Sequence, residues 1–443
     1  MPEKEIAAVV LAAGKGTRMK SSLAKVLHKI AGRPMINHLL ATLDSAGIGK
    51  TVVVVAPEAD DVANAVAPHK TAIQKEQRGT ADAVSSAYPE LKDFGGDLVI
   101  LCGDAPLLSM ETLRTMQQKR AEGFDLVLLG FMPEDCAAYG RIITLSDGSV
   151  AKIVEFADAS EEEKAVKVCN SGLMFGDAQK IFSWLKEVKP NNAKGEYYLT
   201  DVVEIARQDG AKIGLSLAKE EELLGVNTLA DLARAEKVVQ GQLRRKFMDE
   251  GVTLLDPDTV YFSYDTKIGQ DVTIEPSVFF GTGVSVASGT VIKAFSHFEE
   301  AKIGSSVNIG PFSRLRPQAD IGEGAHIGNF VEVKKSTVEK GAKVNHLSYI
   351  GDARVGSKAN IGAGTITCNY DGFTKSHTDI GEGAFIGSNT CLIAPVSIGD
   401  GAMIGAGSAI SNDVEKDALA LTRAPQEERH GWAARFRALK GKK

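Results

Sequence analysis

The sequence predicts two domains of different class: an α/β domain built on a mostly parallel sheet, followed by a parallel β-helix of hexapeptide repeats. Three observations carry this reading. Leucine falls from 26 in residues 1–251 to 5 in residues 252–413, while the later segment holds 22 of the chain's 45 glycines. In the first part, short leucine-rich or β-branched runs alternate with amphipathic stretches. In the second part, an aliphatic or aromatic residue recurs at every sixth position.

At 443 residues the chain has room for about two to four domains, each able to bury a core. Its 51 lysines and arginines against 57 aspartates and glutamates give a formal charge of -6, which argues against broad electrostatic binding to nucleic acid or an anionic membrane. Small molecules held in local basic pockets are the expected partners. No stretch reaches the roughly 18 apolar residues of a bilayer span, and Met1 to Leu11 lacks the apolar core of a signal peptide. Cys102, Cys136, Cys169, Cys368 and Cys391 are odd in number, far apart and never spaced as CxxC, so neither a disulfide framework nor a zinc site is indicated. These features predict a reducing, cytoplasmic setting.

The first domain is placed at residues 1–227. Ile6 to Ala13, Thr51 to Ala56, Asp97 to Cys102 and Leu126 to Gly130 read as strands buried on both faces. Helical patterns fall around Met35 to Ala46, Ala59 to Val66, Ala81 to Tyr88 and Met110 to Glu122. Such alternation puts ligands at the carboxyl ends of the strands. Residues 228–250 read as a linking helix: Thr228 and Asp231 have capping-box spacing, Leu232, Val239, Leu243 and Phe247 share a face, and Gly251 can end it.

The second domain is placed at 251–443. The sixth-position residues run through Ile268, Ile274, Phe280, Val286 and Ile292, again from Ile303 to Val333, and again from Ile380 to Ile410, often with glycine next, as in Ile321-Gly322. Each such residue points inward and the small residues turn the chain between flat faces. The register breaks at 334–350 and 366–379, and both breaks are expected to form loops that carry function. They contain His346, Tyr349, Asn369, Tyr370 and Lys375. The segment from Glu415 to Lys443 has helical and basic character.

Three features carry chemistry on their own. Gly14-Lys15-Gly16 follows the first strand, where backbone amides can approach a phosphate, and Arg18 and Lys25 can reach a polyphosphate from the same loop. The loop is neither a Walker A sequence nor a full GxGxxG fingerprint, and a plain structural turn is as good a reading of it. Asp104 should stand at a strand's carboxyl end, able to hold Mg²⁺ or simply to cap a turn. His346 is the best candidate base of eight histidines, although a lone histidine is more often ordinary surface or core. Cys368 reads as a packed thiol in preference to an acyl carrier.

LAAGKGTRM, Leu11 to Met19, resembles the signature of the sugar-nucleotide pyrophosphorylases. The whole chain, through RLRP (Arg314 to Pro317), GNFVE (Gly328 to Glu332) and NIGAGTITCNYDG (Asn360 to Gly372), resembles the bacterial bifunctional N-acetylglucosamine-1-phosphate uridyltransferases and glucosamine-1-phosphate acetyltransferases. That resemblance implies a Rossmann-like nucleotidyltransferase domain, a left-handed β-helix and a homotrimer formed through it. It implies acetylation of glucosamine 1-phosphate by acetyl-CoA, then Mg²⁺-dependent uridyl transfer from UTP, giving UDP-N-acetylglucosamine for cell-envelope sugars.

Residue by residue, the resemblance implies nucleotide contacts at Leu11, Ala12, Ala13, Gly14, Arg18, Lys25, Gln74, Gly79, Thr80, Cys102, Gly103 and Asp104, with Cys102 acting through its backbone. Gly140, Glu155, Asn170 and Asn227 match sugar positions, and Asp104 with Asn227 matches the metal pair. In the second domain His346 matches the base and the Ala363 amide the oxyanion donor, while Arg316, Lys334, Tyr349, Asn360 and Lys375 match sugar-phosphate contacts. Ala363, Asn369, Tyr370, Ser388, Ala406 and Arg423 match acetyl-CoA positions. A pyrophosphorylase whose β-helix is only a scaffold is the competing reading, and it predicts no dependence on acetyl-CoA.

Overall fold

The computed structural model describes residues 5–136, 139–146, 148–192 and 195–441. The chain forms two compact units, residues 1–240 and 241–443, and the division falls within the helix Leu229–Asp249.

In the first unit the described residues form a nine-stranded sheet and a separate two-stranded one, Lys29–Ile30 with Arg33–Pro34. The strands of the larger sheet are β1 Ile6–Leu11, β2 Lys50–Val55, β3 Lys70–Ile73, β4 Asp97–Cys102, β5 Leu126–Phe131, β6 Arg141–Thr144, β7 Val150–Val154, β8 Cys169–Asp177 and β9 Ile213–Leu217. The order is β9-β5-β8-β4-β1-β2-β3, with the β6–β7 hairpin attached to β8. β1 runs parallel to β2 and β4, and β9 runs parallel to β5, whereas β8 is antiparallel to both of its neighbours. The alternation locates β1, β2, β4 and β5 to within a residue or two. It misses β8, whose pattern is broken by an irregularity between Asn170 and Met174, with Gly172 at φ 81°. Ala7 to Val10 and Leu98 to Leu101 are buried between helices such as Met35–Ser45, which turns Met35, Ile36, Leu39, Leu40 and Leu43 inward.

The second unit is a prism of three parallel sheets, of ten, eight and eight strands among the described residues. Each coil gives one short strand to each sheet. The sixth-position residues fall into inward columns: Ile274 pairs with Ile292, eighteen residues on, and Ile309 with Ile327. All four are buried, and each such isoleucine contributes about 1.5–3 kcal/mol. Buried hydroxyls satisfy the corner carbonyls, with Thr365 Oγ1 donating to Gly362 O and Thr390 Oγ1 to Gly387 O, both at 2.7 Å. Glycine follows the inward residue because the next coil lies so close: a Cβ on Gly362 would come within 2.6 Å of the Ile386 carbonyl.

One expectation is corrected. Residues 334–350 form no loop, because the coils continue there through the strands Ser336–Val338, Lys343–His346 and Tyr349–Gly351. The register slips because these coils are one residue shorter: Ile327 pairs with Val344, and Val344 with Ile361, each seventeen residues on. Only the later break is an insertion, where Ile361 pairs with Ile386 twenty-five residues on and the segment Asn369 to Ser376 lies outside the strands. At the chain's end, Trp432–Lys440 forms a helix with every residue exposed.

Candidate active sites

In the first unit the site is set by the carboxyl ends of the central strands. Gly103 donates to the Leu11 carbonyl at 2.9 Å and Ala12 to that of Val54 at 2.8 Å, so β1 and β4 open at one point. Gly16 has φ 59°, and a Cβ there would lie 2.8 Å from Lys25 Cβ, so glycine lets the loop rest against the turn that carries Lys25. Lys25 Nζ donates to Asp104 Oδ2 at 2.5 Å and to Asn227 Oδ1 at 3.2 Å. Arg18 Nη2 donates to the same Asn227 oxygen at 2.9 Å. Asn227 reaches Asp104 because the Val226 amide donates to the Asp104 carbonyl at 2.9 Å. The Asn227 amide in turn donates to Asp231, which forms the expected capping box with Thr228.

Of these groups, Lys25 and Asp104 line a cleft of about 740 Å³, a volume in the range of ligand sites. Leu11 to Lys15 line one part of it, Gln74, Gly79 and Thr80 another, and Glu155, Phe156, Glu196 and Tyr198 a third. The Gln74 side chain is buried, its Nε2 donating to Gly79 O at 2.9 Å and Asp82 Oδ2 at 3.0 Å. Gly79 has φ 132°, and a Cβ there would lie 2.5 Å from the Tyr197 carbonyl, which excludes other residues from this turn. Burial, reinforced by the Asp104 carboxylate, pushes the Cys102 thiol up to about 12, so its sulfur stays protonated and inert.

Gly140, Glu155 and Asn170 also come together: the Asn170 amide donates to Gly140 O at 2.8 Å, and a Cβ on Gly140 would lie 3.5 Å from Glu155 Oε2. Composition and spacing did not single out Gln77, whose Nε2 donates to the Ala13 carbonyl at 2.6 Å and braces the loop after β1, or Thr200, which donates to Glu155 at 3.3 Å. Nothing in their spacing marks either one.

Burial, then Glu204, Glu155 and Asp158, push the Asp201 carboxyl up to about 6. A raised acid destabilises the fold once its unfolded form ionises, so this cost is absent below pH about 4 and complete above pH about 6. Asp201→Asn is therefore expected to raise stability at pH 7 by about 1 kcal/mol, the shift being discounted for a half-exposed group. Urea unfolding of both proteins at pH 3.5 and pH 7 checks this, since the gain must vanish at the lower pH.

The second site follows the geometry of the coils. Asn329, His346, Ala363, Ser388 and Ala406 occupy one corner of successive coils. Asn329 and His346 are register partners, Gly364 donates to His346 O at 3.2 Å, Asn389 to Ala363 O at 2.7 Å and Gly407 to Ser388 O at 2.8 Å. At about 4.8 Å per coil, His346 stands roughly 14 Å from Ala406 along this ridge. Arg423 Nη1 caps it by donating to the Ala406 carbonyl at 2.8 Å. His346 Nδ1 lies 2.9 Å from Asn329 Oδ1. An amide oxygen only accepts, so in the neutral ring the proton sits on Nδ1 and the lone pair on Nε2.

At the end of the strand Glu332–Lys334, Lys375 and Arg316 lower the pKa of the Lys334 ammonium, the mark of three cations facing a common space. Arg316 Nη1 donates to Glu332 at 2.9 Å, and Glu332 pairs in register with Tyr349. Glu332 lies in the GNFVE motif but had no role assigned from the sequence. Asn360 pairs instead with Lys343 and Phe385, on a different sheet from Tyr349, so one coil stack does not bring all five sugar-phosphate candidates to one face. The Asn369 side chain is buried and donates to Asp352 Oδ2 at 2.6 Å, while its backbone amide donates to Thr367 O and its carbonyl accepts from the Ser376 amide, both at 2.9 Å. Tyr370 is exposed and bridges to Lys375 across the insertion. Burial, then Cys391, raise the Cys368 thiol, in keeping with a packed side chain.

Residues 8–138 match the MobA-like NTP transferase domain, and residues 300–335 and 377–412 match the bacterial transferase hexapeptide of six repeats. Full-length similarity decides the family. A protein from Paramagnetospirillum magneticum named bifunctional protein GlmU is 54% identical, covering 100% of this chain and 99% of its own length. A protein of the same name from Rhodospirillum rubrum is 57% identical over 98% and 97%, and one from Zymomonas mobilis 50% identical over 99% of each. The chain belongs to the GlmU family. Its parallel coils are the left-handed β-helix of hexapeptide repeats, and its first unit is the Rossmann-like nucleotidyltransferase fold. As a member of the GlmU family it is a bifunctional transferase of UDP-N-acetylglucosamine synthesis, with acetyltransferase and uridyltransferase activities. Among the described residues, no helix is long and apolar enough to cross a membrane.

Proposed function

We propose that the cleft of the first unit carries uridyl transfer and the corner ridge of the β-helix carries acetyl transfer, in a cytoplasmic homotrimer. The observation that carries the first assignment is the convergence of Arg18, Lys25, Asp104 and Asn227 at the strand ends. An oxygen of N-acetylglucosamine 1-phosphate attacks the α-phosphorus of UTP and pyrophosphate leaves, so no side-chain nucleophile is needed. The loop amides with Arg18 and Lys25 meet the charge that builds on the phosphates, while Gln74, Gly79 and Thr80 hold the base and Gly140, Glu155 and Asn170 the sugar.

Mg²⁺ suits this site: Asp104 and Asn227 offer two hard oxygens, and the ion commonly completes its shell from phosphate and water. When bound, the ion supplies charge neutralisation to the phosphate oxygens.

In acetyl transfer, the amine nitrogen of glucosamine 1-phosphate attacks the thioester carbonyl of acetyl-CoA. His346 Nε2 takes the amine proton, the Ala363 amide meets the oxyanion, and the C–S bond breaks as the proton passes to the departing thiolate. Arg316, Lys334 and Lys375 suit the sugar phosphate, Arg316 as a fork and the lysines as point charges. The ridge of Ser388 and Ala406 leaves room for the pantetheine chain, with Tyr370 and Arg423 toward the rest of the coenzyme. The separation of Asn360 from Tyr349 supports a site completed by a neighbouring copy, hence the trimer. Purified protein should release coenzyme A only with glucosamine 1-phosphate and acetyl-CoA present, and pyrophosphate only when UTP and Mg²⁺ are added as well. Pyrophosphate release from glucosamine 1-phosphate without acetyl-CoA would instead favour the scaffold reading.

A further inference from the structure

Both oxygens assigned to the divalent ion are already engaged by cations of the chain itself. Lys25 Nζ touches Asp104 Oδ2 and Asn227 Oδ1, and Arg18 touches the latter. Arg18 and Lys25 both donate to the Asn227 oxygen, so an ion entering there meets two positive charges at contact distance before any phosphate arrives. The Lys25 and Asp104 side chains are only 15% and 20% exposed, which limits solvent screening of that charge. We propose that Lys25 is an internal counter-cation that keeps the divalent ion weakly bound until a polyphosphate arrives. This rests on the reading of Asp104 and Asn227 as the ion's ligands.

An ion entering the free protein must either displace the ammonium from these two oxygens or bind the second Asp104 oxygen beside it, and in either case it is repelled by two nearby cations. A triphosphate reverses this balance. It supplies negative charge to both cations and gives the Lys25 ammonium a new partner. The four-carbon stem can swing while the Lys25–Leu27 turn stays closed by the Leu27 amide on Ala24 O at 2.9 Å. Lys25 contacts both ligand oxygens and Arg18 only one, so Lys25 is the stronger gate. Ion and nucleotide therefore bind with positive coupling, each raising the affinity for the other by the same factor.

Mn²⁺ binding followed by electron paramagnetic resonance on the full-length protein tests this without turnover. Wild type is expected to hold Mn²⁺ on the order of tenfold more tightly with UTP than without it. Lys25→Met, which keeps the stem and removes the charge, is expected to bind Mn²⁺ alone about tenfold more tightly than wild type. Arg18→Gln should tighten it by a smaller factor, and serves if Lys25→Met does not fold. If Asp104→Ala keeps wild-type Mn²⁺ binding in the presence of UTP, the ligand assignment is wrong and the counter-cation role falls with it. If Asp104→Ala loses that binding while neither charge-removing variant tightens Mn²⁺ alone, the ligands stand and the counter-cation role alone is refuted.

Discussion

His346→Ala is expected to lower acetyl transfer by about 10²–10⁴-fold and to leave uridyl transfer from supplied N-acetylglucosamine 1-phosphate at its wild-type rate. The range is that of a positioned general base, and the geometry supports it. Asn329 accepts from Nδ1 at 2.9 Å, fixing the neutral tautomer with Nε2 free to take a proton, while the next coil sets Ala363 beside the same corner. The imidazole is exposed, so its removal should change stability by less than about 0.5 kcal/mol. Loss of activity would then report chemistry and not unfolding. Coenzyme A release and pyrophosphate release, measured separately on the same preparation, distinguish the outcomes. Equal loss of both would mean a folding defect, and no loss of either would return the β-helix to the role of scaffold.

How much of this was legible in the sequence depends on the range of the interaction that fixes each element. The six-residue period of the β-helix repeats locally, so Ile274, Ile309 and Ile327 were assigned inward from spacing alone and are buried in paired columns. The same reasoning failed at 334–350, because dropping one residue from a coil and inserting a loop both break a period of six, and only the pairing of Val344 with Ile361 separates the two. The four strands with continuous apolar runs were visible; β8 was not, since its hydrogen bonds come from strands distant in sequence and its own pattern is interrupted.

At the sites, glycine turns and isolated charges drew attention to the loop after β1, but the meeting of Asn227 with Asp104 depends on one long-range backbone bond from Val226. Residue types could not reveal that approach; family resemblance supplied it. Gln77 and Thr200 had no such signal, because a polar side chain bracing a loop carries no periodicity.

Asp104→Ala should reduce uridyl transfer by 10³-fold or more while acetyl transfer continues unchanged. Two losses combine. The substitution deletes the carboxylate that Lys25 holds beside Asn227, so the divalent ion would keep one amide oxygen of the assigned pair, and charge neutralisation at the phosphates would fall. It also strips Lys25 of its 2.5 Å partner. The ammonium would retain Asn227, at 3.2 Å, and the fold should lose about 1–3 kcal/mol, the penalty of leaving a partly buried charge poorly paired. The two effects separate by choice of variant. Asp104→Asn keeps an acceptor oxygen for Lys25 and should restore most of the stability, yet it removes the negative charge and should stay nearly as inactive as the alanine. Thermal unfolding alongside pyrophosphate release therefore distinguishes a ligand from a structural prop: if asparagine recovers activity together with stability, the carboxylate served only to hold Lys25.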